Sequence, residues 1–285
     1  MIPQEFEYSA PAQLSEALAL IANGAKPLAG GMSLVPMMKL RLATPEHVVD
    51  IRRLKDLSYI RQDGDQVRIG AMNTHHEIES SAVLLNTCPL LARTAAHIGD
   101  VQVRNMGTIG GSVAHADPSA DYLAALFALD AQVTLSSVRG QRTLTIDKFI
   151  LDPFTTAIEA DELLSEISVP VERAGSAYVK MSNAASGFAL VGVAARIRRS
   201  GDKVEFAAIG LTGVGATAFR AKAAESKLAG TAGSDADIRA AASLACDGIE
   251  ASSDLHASAE YRKHLAGVHT ARAIRLAMAD AAARA

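Results

Sequence analysis

Apolar residues recur at helical spacing through PAQLSEALALIAN, Pro11 to Asn23, with Ser9 placed to cap the start and Gly24 where a helix-ending glycine belongs. A short apolar piece, KPLA, precedes the first glycine pair, and the run HVVDI, His47 to Ile51, reads as a buried strand, so the first 55 residues or so predict strand and helix alternation. LSYIRQDGDQVRIGAM alternates on both sides of Asp63-Gly64 and predicts a hairpin. Thr74 to Gly99 is helical in pattern, with a break at Pro89. YLAALFALDA, after Asp121, is an apolar helix. QVTLSSVRGQRTLTI predicts a second hairpin turning near Arg139-Gly140, and ELLSEISVP a strand ending at Pro170. Beyond about residue 172 the pattern changes. SAYVKMS and FALVGVAARIRRSGDKVEFAAIGLTG predict three antiparallel strands, and Ala221 to Ala285 is Ala-rich and helical. VERAGS reads as a linker. The expected organisation is α+β, with a first domain over 1–173, in lobes of about 1–55 and 56–173, and a second over 174–285.

Composition narrows the function classes. The formal net charge over 285 residues is −3, without long runs of like charge, so a nucleic-acid footprint is not expected. Aromatic residues are 4% and Trp is absent, which argues against a base-stacking platform. No apolar run approaches the roughly 18 residues of a membrane span, and the start lacks a basic-then-apolar secretory pattern. The only cysteines, Cys88 and Cys246, make neither a CxxC pair nor a disulfide framework, which fits a reducing cytoplasm. They are too few for an iron–sulfur cluster, which takes about four thiolate ligands.

Candidate chemistry centres on two glycine pairs, Gly30-Gly31 in PLAGGMSLVPMMKLRLATP and Gly110-Gly111 in NMGTIGGSVAHADPSAD. Such pairs serve either as tight turns or as nests whose converging N–H groups hold phosphate oxygens. Ser33 and Thr108 flank them and can add hydroxyl donors. In HADPSAD, Pro118 suits the first turn of a helix with Asp117 as its N-cap. Asp121 is either a helix-start charge or an acceptor for ligand hydroxyls. His75-His76 and His115 lack any metal-ligand spacing, so no metal is expected. GVGATA, Gly213 to Ala218, matches a dinucleotide fingerprint and precedes an expected helix, but no second strand follows to complete a βαβ unit. No GxSxG, Ser-His-Asp order or P-loop is present.

Taken together, PLAGGMSLVPMMKLRLATPEHVVDI, VRIGAMNTHHEI, VRNMGTIGGSVAHADPSAD, ELLSEISVP and FALVGVAARI run in the order found in one family. The chain resembles the FAD-binding medium subunit of molybdenum-containing hydroxylases, the carbon monoxide dehydrogenase and xanthine dehydrogenase family. The resemblance implies a two-lobed FAD-binding domain of the vanillyl-alcohol-oxidase type, then a smaller flavoprotein domain with a three-stranded antiparallel sheet and helices. It implies that Leu28, Ala29, Gly30, Gly31, Met32 and Ser33 form one pyrophosphate loop, and Thr108, Ile109, Gly110, Gly111 and Ser112 the other. Asp121 would bond sugar-like hydroxyls of the flavin. Leu164 would lie near the adenine or isoalloxazine, and Lys180 beside the loop MSNAASG that faces the isoalloxazine. Relatives often carry His at Met32 and Asn at Ser112; a thioether donates no hydrogen bond, and Ser is shorter with one donor. SNAAS lacks the basic pair or Gly-Asp of better-known branches. The implied role is an electron-transfer oxidoreductase subunit. Its partners would be a large molybdopterin subunit and a small subunit with two iron–sulfur clusters, in a dimer of heterotrimers. The alternatives are a self-sufficient FAD-dependent oxidoreductase and an interaction subunit without FAD.

Overall fold

The computed structural model describes residues 2–284. The chain opens with β1 (Glu7–Ser9), α1 (Leu14–Ala22), β2 (Lys26–Leu28), α2 (Leu34–Lys39) and β3 (His47–Asp50). The three strands form a parallel sheet in the order β1-β3-β2. α1 buries Ala17, Leu18 and Ile21, which join Val49, Ile51, Leu54 and Leu57 in a small core. Gly24 ends the helix at φ +93°, a conformation open to glycine at little cost. Ser9 does not cap it. Ser9 pairs with Val49 inside the sheet and its hydroxyl lies 2.9 Å from the His47 ring, leaving Gln13 at the cap position without a side-chain bond.

The second lobe comprises β4 (Ile60–Asp63), β5 (Gln66–Gly70), α3 (His75–Ser80), α4 (Ala82–Thr87), α5 (Pro89–Ala95), α6 (Val101–Met106), α7 (Ile109–His115) and α8 (Asp121–Ala128). It continues with β6 (Gln132–Ser137), β7 (Gly140–Thr145), α9 (Ile146–Phe149), β8 (Ile150–Asp152), β9 (Thr155–Thr156) and β10 (Leu163–Pro170). Its sheet has the order β4-β5-β10-β6-β7, so the last strand in sequence fills the centre. Both expected hairpins form, each with its loop one residue from the expected place. Asp63 pairs with Gln66 around Gly64-Asp65, with Gly64 at φ +60°, and Ser137 pairs with Gly140 around Val138-Arg139. Pro89 breaks the helical stretch by starting α5. Asp117 caps a turn rather than a helix: its Oδ1 accepts the Ser119 N–H at 2.8 Å, and α8 starts later, after Ala120.

The remainder comprises β11 (Gly175–Ser182), β12 (Ala189–Ser200), β13 (Lys203–Thr212), β14 (Phe219–Arg220), α10 (Lys222–Leu228), α11 (Asp235–Ala242) and α12 (Ala259–Arg284). The three expected strands are antiparallel neighbours, joined at the edge by the two-residue β14. GVGATA therefore leads into a strand, not a helix, and the Gly213 N–H donates to Pro118 O at 2.8 Å. Alternation along β12 serves two cores: Ala194 faces the core around α8, while Val193, Ala195 and Ile197 face the core shared with α12. All eight residues of α8 are buried. VERAGS is not a free linker. Glu172 is buried and pairs with Arg196 at 2.9 Å, and a Cβ on Gly175 would lie 2.1 Å from Ala281 N on α12.

The sheet comes close to α8 at Gly210, where an added Cβ would lie 2.0 Å from Ala124 O. Overpacking of this kind costs about 1–3 kcal/mol. Gly210→Ala is expected to lower the urea unfolding midpoint accordingly; an unchanged midpoint would contradict this packing.

Candidate functional site

The segment Ala29–Ser33 joins β2 to α2 at the edge of the parallel sheet, and Leu28 O accepts Ile51 N–H at 3.1 Å to hold its start. Gly31 adopts φ +74°, which turns the chain toward α2. The N–H groups of Gly30, Gly31, Met32 and Ser33 donate to no acceptor among the described residues. The Ser33 hydroxyl makes no capping bond, and Met32 is 42% exposed. Four consecutive free amides, with a free hydroxyl beside them, are donors of the kind an anion requires.

The second segment is built differently. Gly110 and Gly111 lie in the first turn of α7 rather than in an open turn, and Thr108 caps that helix by accepting Gly111 N–H at 3.1 Å. Ile109 N–H goes to Asn73 O and Gly110 N–H to Ala71 O, at 3.0 and 2.9 Å. Of the amides from Thr108 to Ser112, only that of Thr108 has no acceptor among the described residues. The Ser112 hydroxyl is also unbonded and half-buried.

These two segments touch. A Cβ on Gly30 would lie 1.9 Å from Met106 O and 2.8 Å from Gly107 Cα, and one on Gly111 would lie 3.7 Å from Ala29 Cβ. Gly30 and Gly110 therefore lack side chains because backbone approaches them; the backbone at Gly110 is that of Ala71. Leu164 is buried on β10 beside a bulge at Ser165, whose carbonyl accepts Ala71 N–H at 3.0 Å. Ala71 O in turn accepts Gly110 N–H, so a short backbone relay ties Leu164 to the second segment.

Asp121 and Lys180 come together. Their side chains form a buried ion pair at 2.9 Å across the contact between α8 and β11. Tyr178 donates to the other Asp121 oxygen at 2.5 Å, and Lys180 also donates to His97 O at 2.9 Å. Burial pushes the Asp121 carboxyl up, against the pull of Lys180 and Tyr178. Both Asp121 oxygens therefore already have donors within the chain. The loop after β11 closes on itself through Asn183 N–H to Phe188 O at 2.8 Å, and Gly187 sits over Gly99. Tyr178 and His97, packed edge to face at 5.5 Å, were missed by sequence reasoning; the alternation Tyr178–Lys180 on β11 was the available signal. His75 and His115 are separate, against Tyr122 and Phe154, and no metal-holding cluster exists among the described residues.

The model for the FAD binding domain in molybdopterin dehydrogenase matches residues 4–172, and that for the CO dehydrogenase flavoprotein C-terminal domain matches residues 176–277. The carbon monoxide dehydrogenase medium chain of Hydrogenophaga pseudoflava is 42% identical over 287 residues, 99% of this chain and 100% of that one. The chain belongs to this family of FAD-binding medium subunits. A solved carbon monoxide dehydrogenase from the same organism superposes with a TM-score of 0.94 at 43% identity, over 98% of this chain and 99% of that one. The glyceraldehyde dehydrogenase medium chain of Sulfolobus acidocaldarius is 37% identical, over 96% of this chain and 99% of that one. As a member, the chain is an oxidoreductase flavoprotein subunit whose cofactor is FAD. The free amides of Gly30–Ser33 and Thr108 are the backbone donors left available for a ligand in these two segments.

Two outcomes follow. Gly30→Ala is expected to separate the segments and yield purified protein with reduced flavin absorbance per chain; full occupancy would show that the contact with Met106 is dispensable. His75 is held down at about 4, chiefly by burial and further by Arg104, so the folded chain resists its protonation while the unfolded chain protonates near 6.5. Its contribution is complete above pH 6.5 and is lost as pH falls toward about 4. Urea titrations of His75→Gln should show a shallower loss of stability than wild type across that window, and equal slopes would refute the assignment.

Proposed function

We propose that this chain carries electrons within a larger molybdenum hydroxylase complex, holding FAD with its pyrophosphate at the adjoining segments Leu28–Ser33 and Thr108–Ser112. The observation that supports this reading is the set of free amides at Gly30, Gly31, Met32, Ser33 and Thr108 in two touching segments. Bound there, FAD supplies the exchange between electrons from iron–sulfur clusters of a small partner subunit and an external acceptor. Within this reading, residues 1–173 bind the dinucleotide and 174–285 cover the flavin end. Lys180 and Asp121 place a compensated charge pair beside the loop 183–188. Leu164 lines the wall behind the second segment. No side chain has to act as a general base, and none is placed as one. Medium chains named for carbon monoxide and for glyceraldehyde oxidation match almost end to end, which supports a substrate chosen on a large molybdopterin partner.

Gly31→Asp brings a negative charge to the loop whose amides would receive the pyrophosphate, its added Cβ lying 3.1 Å from Val35 Cγ2 and 3.4 Å from Leu28 Cδ1, so FAD content should fall to a small fraction of wild type. Gly64 also has positive φ, and its Cβ would meet nothing within 4 Å, so Gly64→Asp controls for backbone strain. The absorbance of both purified variants near the flavin bands is the measurement. Equal FAD occupancy in Gly31→Asp and wild type would show that the pyrophosphate lies elsewhere. Copurification of iron and molybdenum with the wild-type chain from its native host tests the partners.

A further inference from the structure

We propose that His75 is a positioning residue for the cofactor: its imidazole sets the separation of the two phosphate-facing segments by bearing on Gly107. The proposal rests on the reading that those segments hold the pyrophosphate. Gly107 has φ −64° and ψ 142°, which any residue adopts, so its backbone does not demand glycine. Space demands it. A Cβ there would lie 2.6 Å from His75 Nε2 and 2.9 Å from Cδ2, so the ring edge lies flush against Gly107. Gly30 packs against Met106 and Gly107 in turn. Ring, Gly107 and first segment are thus stacked with no side chain of either glycine between them, and Gly107 leads directly into the second segment.

The ring is itself fixed from behind. His75 Nδ1 lies 3.2 Å from the hydroxyl of Tyr122, which is fully buried on α8. Its backbone is fixed as well. Thr74 and Glu77 close a capping box that pins the start of α3, where the first N–H groups have no partner within the helix. The His75 N–H donates instead to Gly107 O at 2.9 Å, and Thr74 forms a bridge with Thr108. Thr108 carries the one free amide of the second segment, so His75 acts one residue from a phosphate donor through both its ring and its backbone. Arg104, which pairs with Glu79 at 2.9 Å, lies near enough to disfavour a charge on the ring.

The test is phosphorus NMR of FAD bound to the full-length chain, together with the FAD dissociation constant, in His75→Ala and His75→Gln. His75→Ala is expected to weaken FAD binding about tenfold, as loss of one fixing contact would, and to move the bound pyrophosphate resonances while the visible flavin bands stay in place. The amide of Gln can occupy the place of Nε2, so His75→Gln should move both readouts back toward wild type. Wild-type affinity and wild-type phosphorus shifts in His75→Ala would overturn the proposal, even if its melting temperature falls, because that outcome describes a purely structural residue. If His75→Ala does not fold, Tyr122→Phe releases the ring and is expected to shift the same resonances; unchanged resonances there would overturn it equally. Failure of the underlying reading looks different: Gly31→Asp would then keep wild-type FAD occupancy.

Discussion

A helix that is apolar on every side has to be covered on every side, and α8 imposes that constraint on the whole chain. The second lobe supplies α5 and α7 on one flank, while β12 and β13 of the C-terminal sheet close the other. Covering α8 brings Asp121, at its first turn, against Lys180 and Tyr178 of β11, where a buried carboxylate needs donors. It also seats Tyr122 behind His75, and so reaches the second glycine segment. The packing of one apolar helix thereby connects the Asp121–Lys180 pair to the second glycine segment.

The two glycine segments divide the work unequally. Gly30 to Ser33 keep their amides free. Ile109 to Gly111 direct theirs inward, to Asn73, Ala71 and Thr108, and serve as the rigid wall that the first segment leans on. Glycine is required on the wall for close approach and at Gly31 for a left-handed turn, two different physical reasons behind one repeated dipeptide. The free amides of the first segment do not depend on the Met32 side chain.

Much of the fold was legible in sequence because it rests on local patterning: α1, both hairpins, the break at Pro89 and the long strands β12 and β13 follow period and turn residues. What was not legible rests on partners distant in sequence. Ser9 carries capping chemistry but its hydroxyl faces His47 instead, and Asp117 closes a turn because the helix it would cap begins four residues later. VERAGS has a linker's composition, yet Arg196 and α12 draw Glu172 and Gly175 into the interior. At the candidate site the glycines, Asp121 and Lys180 stood out by pattern and resemblance. Their pairing, and the parts of Tyr178, His97 and His75, depend on contacts between β11, α3 and α8 that no local spacing encodes.

The place of β10 at the centre of its sheet bears on the order in which the chain is made. β5 ends at Gly70 and β6 at Ser137, and both wait for Leu163–Pro170 to join them. α8 waits longer, since the strand covering it, β13, ends at Thr212. During synthesis an apolar helix and two half-paired strand edges are therefore exposed until most of the chain has emerged, a situation that slows folding and invites wrong pairing. The Asp121–Lys180 pair likewise forms only after β11 has emerged, so the packing of α8 is an event of the nearly finished chain rather than of its first part alone.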